Sequence, residues 1–175
     1  TVDNVKAGAY KLSRPFNIAT KGEPTGVAKD FINFILSKEG QAVVTDNKYI
    51  AVNDAAESFV SDGSSGQIAV GGSSSVSPVM EKLIEAYKSV NPNASIDLQT
   101  SDSTSGMTGA MDGTFAIGMA SRELKDEEAA QLTGTAIALD GIAVIVNPAN
   151  TIDELSMDQI KSIYVGDITD WGDLA

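Results

Sequence analysis

Three short segments gather the residues best able to do chemistry: Gly71-Gly72-Ser73-Ser74-Ser75, Ser101-Asp102-Ser103-Thr104-Ser105-Gly106 and Ala120-Ser121-Arg122. Each follows a short apolar run and leads toward a stretch of helical periodicity, so each reads as a strand-to-helix junction. A helix start offers unpaired backbone N–H groups and the positive end of a dipole. Hydroxyl side chains add short donors, and glycine lets the backbone approach a bound group closely. That combination suits a small dehydrated oxyanion, which needs many short donors from several directions. Ser and Thr ahead of a helix are also ordinary caps, and any one segment alone reads that way. Three of them at the carboxyl ends of neighbouring parallel strands would share one rim, where open α/β folds bind ligands. Arg122 has two readings, a salt-bridging or capping arginine and one that faces the anion directly or through an acidic neighbour.

Other chemistries lack their residues. The 175-residue chain has no cysteine and no histidine. Disulfide frameworks, thiolate metal sites, Ser-His triads and imidazole bases are thereby excluded. Neither G-x-x-x-x-G-K-[ST] nor G-x-G-x-x-G occurs, so nucleotide phosphate binding has no signature here. Asp167, Asp170 and Asp173 do not have the spacing of an EF-hand loop and read as a solvated acidic turn. Asn93-Ala94-Ser95 matches a glycosylation acceptor as a chance triplet, and Trp171 reads as a packing residue. Net charge is −12. Residues 1–54 hold seven Lys/Arg against six Asp/Glu, so the excess of acid lies beyond Asp54. Such acidity argues against nucleic acid or an anionic membrane as partner. It also repels an anion at long range, so an anion site must work through short hydrogen bonds.

The elements that must place these segments follow from periodicity. Leu12–Ala19 reads as a strand whose Pro15 suggests an edge or crossing position. A helix capped by Thr25 should run to about Ser37, with Val27, Phe31, Phe34 and Ile35 on one face. A shorter helix through Gln41–Val44 and a strand at Tyr49–Val52 follow. Residues 53–66 are rich in small and acidic residues and read as a flexible linker. Beyond it, strands at Ile68–Val70, Ser95–Leu98, Phe115–Met119 and Ala136–Leu139 alternate with helices. The first of these helices starts at Pro78 after Ser77 and carries the stripe Val79, Met80, Leu83, Ile84 and Tyr87. Two further helices are expected at Ser105–Met111, stopping at Gly113, and through the acidic stretch Asp126–Leu132. Ile142–Val146, the longest apolar run, reads as a buried strand. Ser156 with Gln159 makes a capping box for a last helix whose buried face would be Met157, Ile160 and Tyr164. This alternation implies an α/β fold, with a mainly parallel sheet covered on both faces. No apolar run approaches the roughly 20 residues of a membrane helix, and the first residues show no signal-peptide pattern.

The motifs GSSSVSP, STSGM, GMASREL, ALDGIAVIVNP and RPF…FILSKEGQ, taken together, resemble the phosphate-binding proteins of ABC phosphate uptake systems. The resemblance covers nearly all the chain except the linker, with the family's C-terminal part (residues 1–52) placed before its N-terminal part (67–175). It implies one lobe of a type II periplasmic-binding-protein-like fold with a five-stranded sheet, the second ligand-binding lobe being absent. ALDGIAVIVNP and YKLSRPFNIAT would be the two strands that cross between lobes.

The resemblance also implies a site: Ser75 and the Val76 amide from the first loop, Ser103, Thr104 and Ser105 from the second, and Ser121 with Arg122 from the third. Some members place an aspartate where Arg122 stands, so the basis of selectivity departs from theirs. The function implied is capture of inorganic phosphate for an ABC transporter permease, with no cofactor, no metal and no catalysis. The location implied is extracellular or periplasmic, with the parent protein anchored to a membrane. The segment order would come from engineering or from a protein with two binding units in tandem. A tandem origin also permits exchange of lobes between chains, as a swapped homodimer. Binding of sulfate, molybdate or tungstate, and a structural or interaction module that kept the fold, are the alternatives.

Overall fold

The computed structural model describes residues 1–174, and the chain divides into two units, residues 1–142 and the residues from Ala143 on. The first unit opens with a short helix, α1 (Val2–Lys6), and then β1 (Ser13–Thr20). Two helices follow, α2 (Gly26–Leu36) and α3 (Lys38–Asp46). After the linker come β2 (Gly66–Ser73), α4 (Ser77–Val90), β3 (Ala94–Ser101), α5 (Ser103–Asp112), β4 (Ile117–Ala120), α6 (Asp126–Ala129) and β5 (Thr133–Gly141).

The five strands form one mixed sheet in the order β3-β2-β4-β1-β5. β2 runs parallel to β3 and β4, while β1 runs antiparallel to β4 and β5. Four strands therefore share a direction and β1 alone is reversed. The crossover from β4 to β5 skips one position in the sheet, and β1 fills that slot. β1 has partners on both sides only from Asn17 to Ala19, because β4 is four residues long. Pro15 sits opposite Leu139 of β5, beyond the reach of β4, where its missing N–H breaks no second ladder.

Neighbouring residues on the strands serve opposite faces, as the two-residue period requires. Ile18 and Met119 join a core with Val27, Phe31, Phe34 and Ile35 of α2 and Val79, Met80, Leu83 and Tyr87 of α4. Ala19 and Ala120 join a smaller core with Met107 and Ala110 of α5 and Leu132. Helices thus cover both faces, and the stripes expected of α2 and α4 are the buried ones.

Three expectations are corrected. Tyr49–Val52 is not a strand; Ile50 makes one isolated bridge to Leu139 on the outer edge of β5. Ile142–Val146 is neither strand nor buried: Ile142, Ile145 and Val146 are 46%, 89% and 38% exposed. The last strand pair is Gly141 with Ser13, the first residue of β1; the Ile142 amide still donates to Leu12 O at 2.8 Å, and β1 offers the run nothing beyond that. Residues 53–65 of the linker have no regular secondary structure, Gly66 already opening β2, yet they are pinned rather than slack. The Lys38 amide donates to Glu57 O at 2.9 Å, the Phe59 amide to Glu39 Oε2 at 2.7 Å and the Asp62 amide to Asp30 Oδ1 at 2.9 Å. Phe59 also lays its ring edge-on to Phe34, 5.3 Å between centroids.

The second unit holds α7 (Met157–Val165) and a 3₁₀ turn at Trp171–Leu174. Its capping box forms as expected: Ser156 Oγ accepts from the Gln159 amide at 3.2 Å and Gln159 Oε1 from the Ser156 amide at 2.8 Å. The apolar stripe is not buried, however, with Tyr164 80% and Met157 46% exposed. A unit of about thirty residues has too little interior to cover such a stripe. Trp171 is half exposed beside a hollow lined by Ile163, Ile168 and Thr169.

Candidate anion-binding site

β2, β3 and β4 share a direction, so the segments after Ser73, Ser101 and Ala120 leave the sheet at the same rim. Short polar contacts tie them together. Ser73 Oγ donates to Ser121 Oγ at 3.1 Å, the Ser121 amide donates to Ser103 Oγ at 3.1 Å, and Arg122 Nη2 donates to Thr104 Oγ1 at 3.4 Å. The Ser74 amide donates to Ser101 O at 2.9 Å. Asn17 of β1, 5% exposed, holds the third loop from behind by donating to Arg122 O at 3.0 Å.

These bonds set the direction of each hydroxyl. Ser121, Ser103 and Thr104 each accept one from the protein, so each keeps its own proton to give. Ser75 is half-buried, and its hydroxyl has no partner among the described residues. Four short donors therefore remain for a ligand at this rim. Ser105 is different: its hydroxyl donates to Asp102 Oδ2 at 2.7 Å. Asp102 caps α5, accepting from the Thr104 and Ser105 amides at 2.8 and 3.0 Å. The helix start is thus occupied by a carboxylate of the chain itself. The Val76 amide also has an internal partner, closing a turn onto Ser73 O at 3.0 Å. Of the residues singled out from the sequence, Ser75, Ser103, Thr104 and Ser121 present unspent donors, whereas Val76 and Ser105 are engaged.

Arg122 is held firmly. Nη1 and Nη2 donate to the two oxygens of Glu128 at 2.7 and 2.8 Å, and Nη1 also donates to Glu123 O at 2.9 Å. The Glu128 side chain is 3% exposed. Its carboxyl is held below its usual range, first by the Arg122 bonds, which outweigh burial, and then by the Lys125 amide. The Ser105 hydroxyl and the α5 amides likewise hold the Asp102 carboxyl low. Arg122 is neutralised by Glu128 and Asp102 is ionised, so no net positive charge draws an anion in. Binding here must rely on short donors, as the acidic composition requires.

The glycines of the motifs bring elements together rather than backbone to ligand. A Cβ on Gly106 would lie 2.6 Å from Met119 O and 2.7 Å from Gly72 Cα, so α5 rests directly on β2 and β4. Gly72 itself has φ +137°, a conformation L-residues avoid. Gly106→Ala should cost about 2 kcal/mol or more by overpacking, read as a lower thermal midpoint; an unchanged midpoint would show that α5 can shift freely. Asn17 and Glu128 lay outside the segments read from the sequence, and Ser73 lay within the first of them without being assigned to the ligand. Glu128 had a signal, standing three residues after Lys125 at the start of an acidic helix, and its carboxylate accepts from that residue's amide at 2.8 Å.

A sheet whose co-directional strands end in one hydroxyl-lined rim is the design of an α/β solute-binding lobe. The chain belongs to the PBP superfamily, whose domain description matches residues 58–175. It is 51% identical over 177 residues to the phosphate-binding protein PstS 2 of Streptococcus agalactiae, covering all of this chain and 60% of that protein. Among solved structures, a phosphate-binding protein of a phosphate ABC transporter from Streptococcus pneumoniae TIGR4 superposes with a TM-score of 0.95 at 45% identity. That match covers 100% of this chain and 68% of the other. A phosphate ABC transporter substrate-binding protein from Clostridium perfringens, solved with bound phosphate, matches at TM-score 0.54 and 44% identity. It covers 62% of this chain and 45% of its own. The chain spans about 60% of the length of the curated relatives it matches.

Proposed function

We propose that this chain is one lobe of the phosphate-capturing component of an ABC importer, and that Ser75, Ser103, Thr104 and Ser121 donate to the anion. The convergence of three loops on one rim, with hydroxyl protons unspent, carries this reading. Val76 and Ser105 join the site only if their present partners are exchanged for the ligand. Arg122 acts at its margin. The relatives that align with 97% to 100% of the chain are named as phosphate-binding proteins, which supports inorganic phosphate over sulfate or molybdate and binding over catalysis.

The Streptococcus agalactiae relative aligns along all of this chain, whereas the Clostridium perfringens protein aligns with 62% of it. This supports a segment order native to some members and altered in others. The remainder of such a protein supplies the second lobe, and closure of the two lobes presents phosphate to a membrane permease. That role places the protein outside the cytoplasm, with the whole protein anchored at the membrane. Exchange of lobes between chains, giving a swapped dimer, is open to a protein so ordered. Two-dimensional amide NMR tests the site: millimolar phosphate should shift the Ser75, Ser103, Thr104 and Ser121 amides, and sulfate should do so less. Shifts confined to other regions, or none, would overturn the assignment.

A further inference from the structure

We infer that Glu128 is a positioning residue for the anion rim, acting through Arg122 on the hydroxyl of Thr104. The inference rests on the phosphate-site reading above. Arg122 spends both Nη1 bonds on Glu128 and Glu123 O, and its Nη2 bonds on Glu128 and Thr104 Oγ1. Only Nε–H is left, so this guanidinium is a strut between two loops and not a free clamp for an anion. The strut matters for a chemical reason. A hydroxyl with no fixed donor turns to whichever partner is nearest, and Asp102, whose carboxylate already takes the Ser105 hydroxyl, is the neighbouring acceptor. With Arg122 donating to its oxygen, Thr104 has its proton directed away from the guanidinium, toward the open rim. The Glu128 carboxylate fixes the planar guanidinium through two parallel bonds, a geometry that only a bidentate partner imposes. The four-residue α6 buries Glu128 and no other residue, so holding this carboxylate is its evident contribution to the rim.

The experiment uses the full chain as Glu128→Gln and, separately, Arg122→Lys. Lysine keeps the charge but cannot serve both oxygens of Glu128 and Thr104 together. Amide NMR of the free protein and a phosphate titration are recorded for each. In both variants the Thr104 amide should move in the free protein, and phosphate should bind roughly tenfold more weakly, the worth of one well-aimed donor. In Glu128→Gln the Arg122 Nη–H groups, which Glu128 holds in the parent chain, should also exchange faster with solvent. A third protein, Arg122→Glu with Glu128→Arg, keeps an ion pair but moves the guanidinium. It should recover the thermal midpoint without recovering phosphate binding. Full recovery of binding by this reversed pair would reduce Glu128 to a stability role and overturn the inference. So would Thr104 and Arg122 signals in Glu128→Gln that match the parent chain. If the parent chain itself shows no phosphate response, the phosphate reading fails, and the Thr104 and Arg122 signals of the free proteins still decide whether the strut exists.

Discussion

Inorganic phosphate should bind this chain at least about a thousandfold more weakly than it binds the chain joined to a second lobe, a gap of about 4 kcal/mol. The rim offers four unspent hydroxyl donors, all from one side of any bound anion. Two of the amides that a helix start would add already serve Asp102. Thr104 and Ser105 are exposed, so the anion keeps most of its water, and each hydrogen bond competes with one to solvent. Net gains per bond are then near 1 kcal/mol, against 1.5–3 kcal/mol for charge-assisted bonds in a dry site. Closing a second lobe over the rim supplies donors on the far side and removes the water, which strengthens the bonds already present. Titration calorimetry on the two proteins under the same buffer measures the gap. Submicromolar binding by this chain alone would mean that the rim is complete in itself, and the two-lobe reading would fall.

The sequence made the scaffold of the site more legible than its wiring. The stripes of α2 and α4 could be read because the helical period and burial agree at Phe31, Phe34, Leu83 and Tyr87. The three loops could be placed at one rim because strands alternating with helices leave little choice of direction. Which hydroxyls are free could not be read, since that depends on contacts such as Ser73 with Ser121, 48 residues apart. Asn17 looked like an ordinary strand residue, and only the register of β1 beside β4 brings it under Arg122. Apolar runs misled where a partner decides the outcome. Ile142–Val146 has the composition of a buried strand, but composition does not say that β1 stops at Ser13. The linker misled in the opposite direction. Its small and acidic residues suggested slack, while Glu57 O, Phe59 and Asp62 are held by Lys38, Phe34 and Asp30.

Asp30→Ala should lower stability by about 3 kcal/mol, near 10 °C in the thermal midpoint for a chain of this size. Asp30 is 1% exposed and belongs to α2, in the segment before the linker. It accepts from Ser61 Oγ at 2.7 Å and the Asp62 amide at 2.9 Å in the linker, and from Tyr87 OH at 2.7 Å and Asn91 Nδ2 at 3.1 Å in the segment after it. One carboxylate thus joins the segment before the linker, the linker itself and the segment after it. Removing it leaves the buried Tyr87 hydroxyl without its acceptor, while Asn91 Nδ2 keeps Ser64 O and the Tyr87 oxygen. Burial alone would raise the Asp30 carboxyl, but the Asp62 amide and then Tyr87, Ser61 and Asn91 outweigh it and hold it below its ordinary range. Burial and the bond to Asp30 push the Tyr87 hydroxyl upward. A carboxyl depressed on folding adds stability that is complete above its unfolded value of about 3.9 and lost as pH falls through its folded value. The acid limb of the stability curve should therefore flatten in Asp30→Asn, which cannot ionise, although that variant is weaker than the parent at neutral pH because its amide nitrogen faces other donors. Thermal melts of the parent and Asp30→Asn from neutral pH to about pH 3 separate the two effects. Parallel curves at all pH values would mean that the Asp30 carboxyl titrates alike in the folded and the unfolded chain, so that its four bonds do not favour the ionised form.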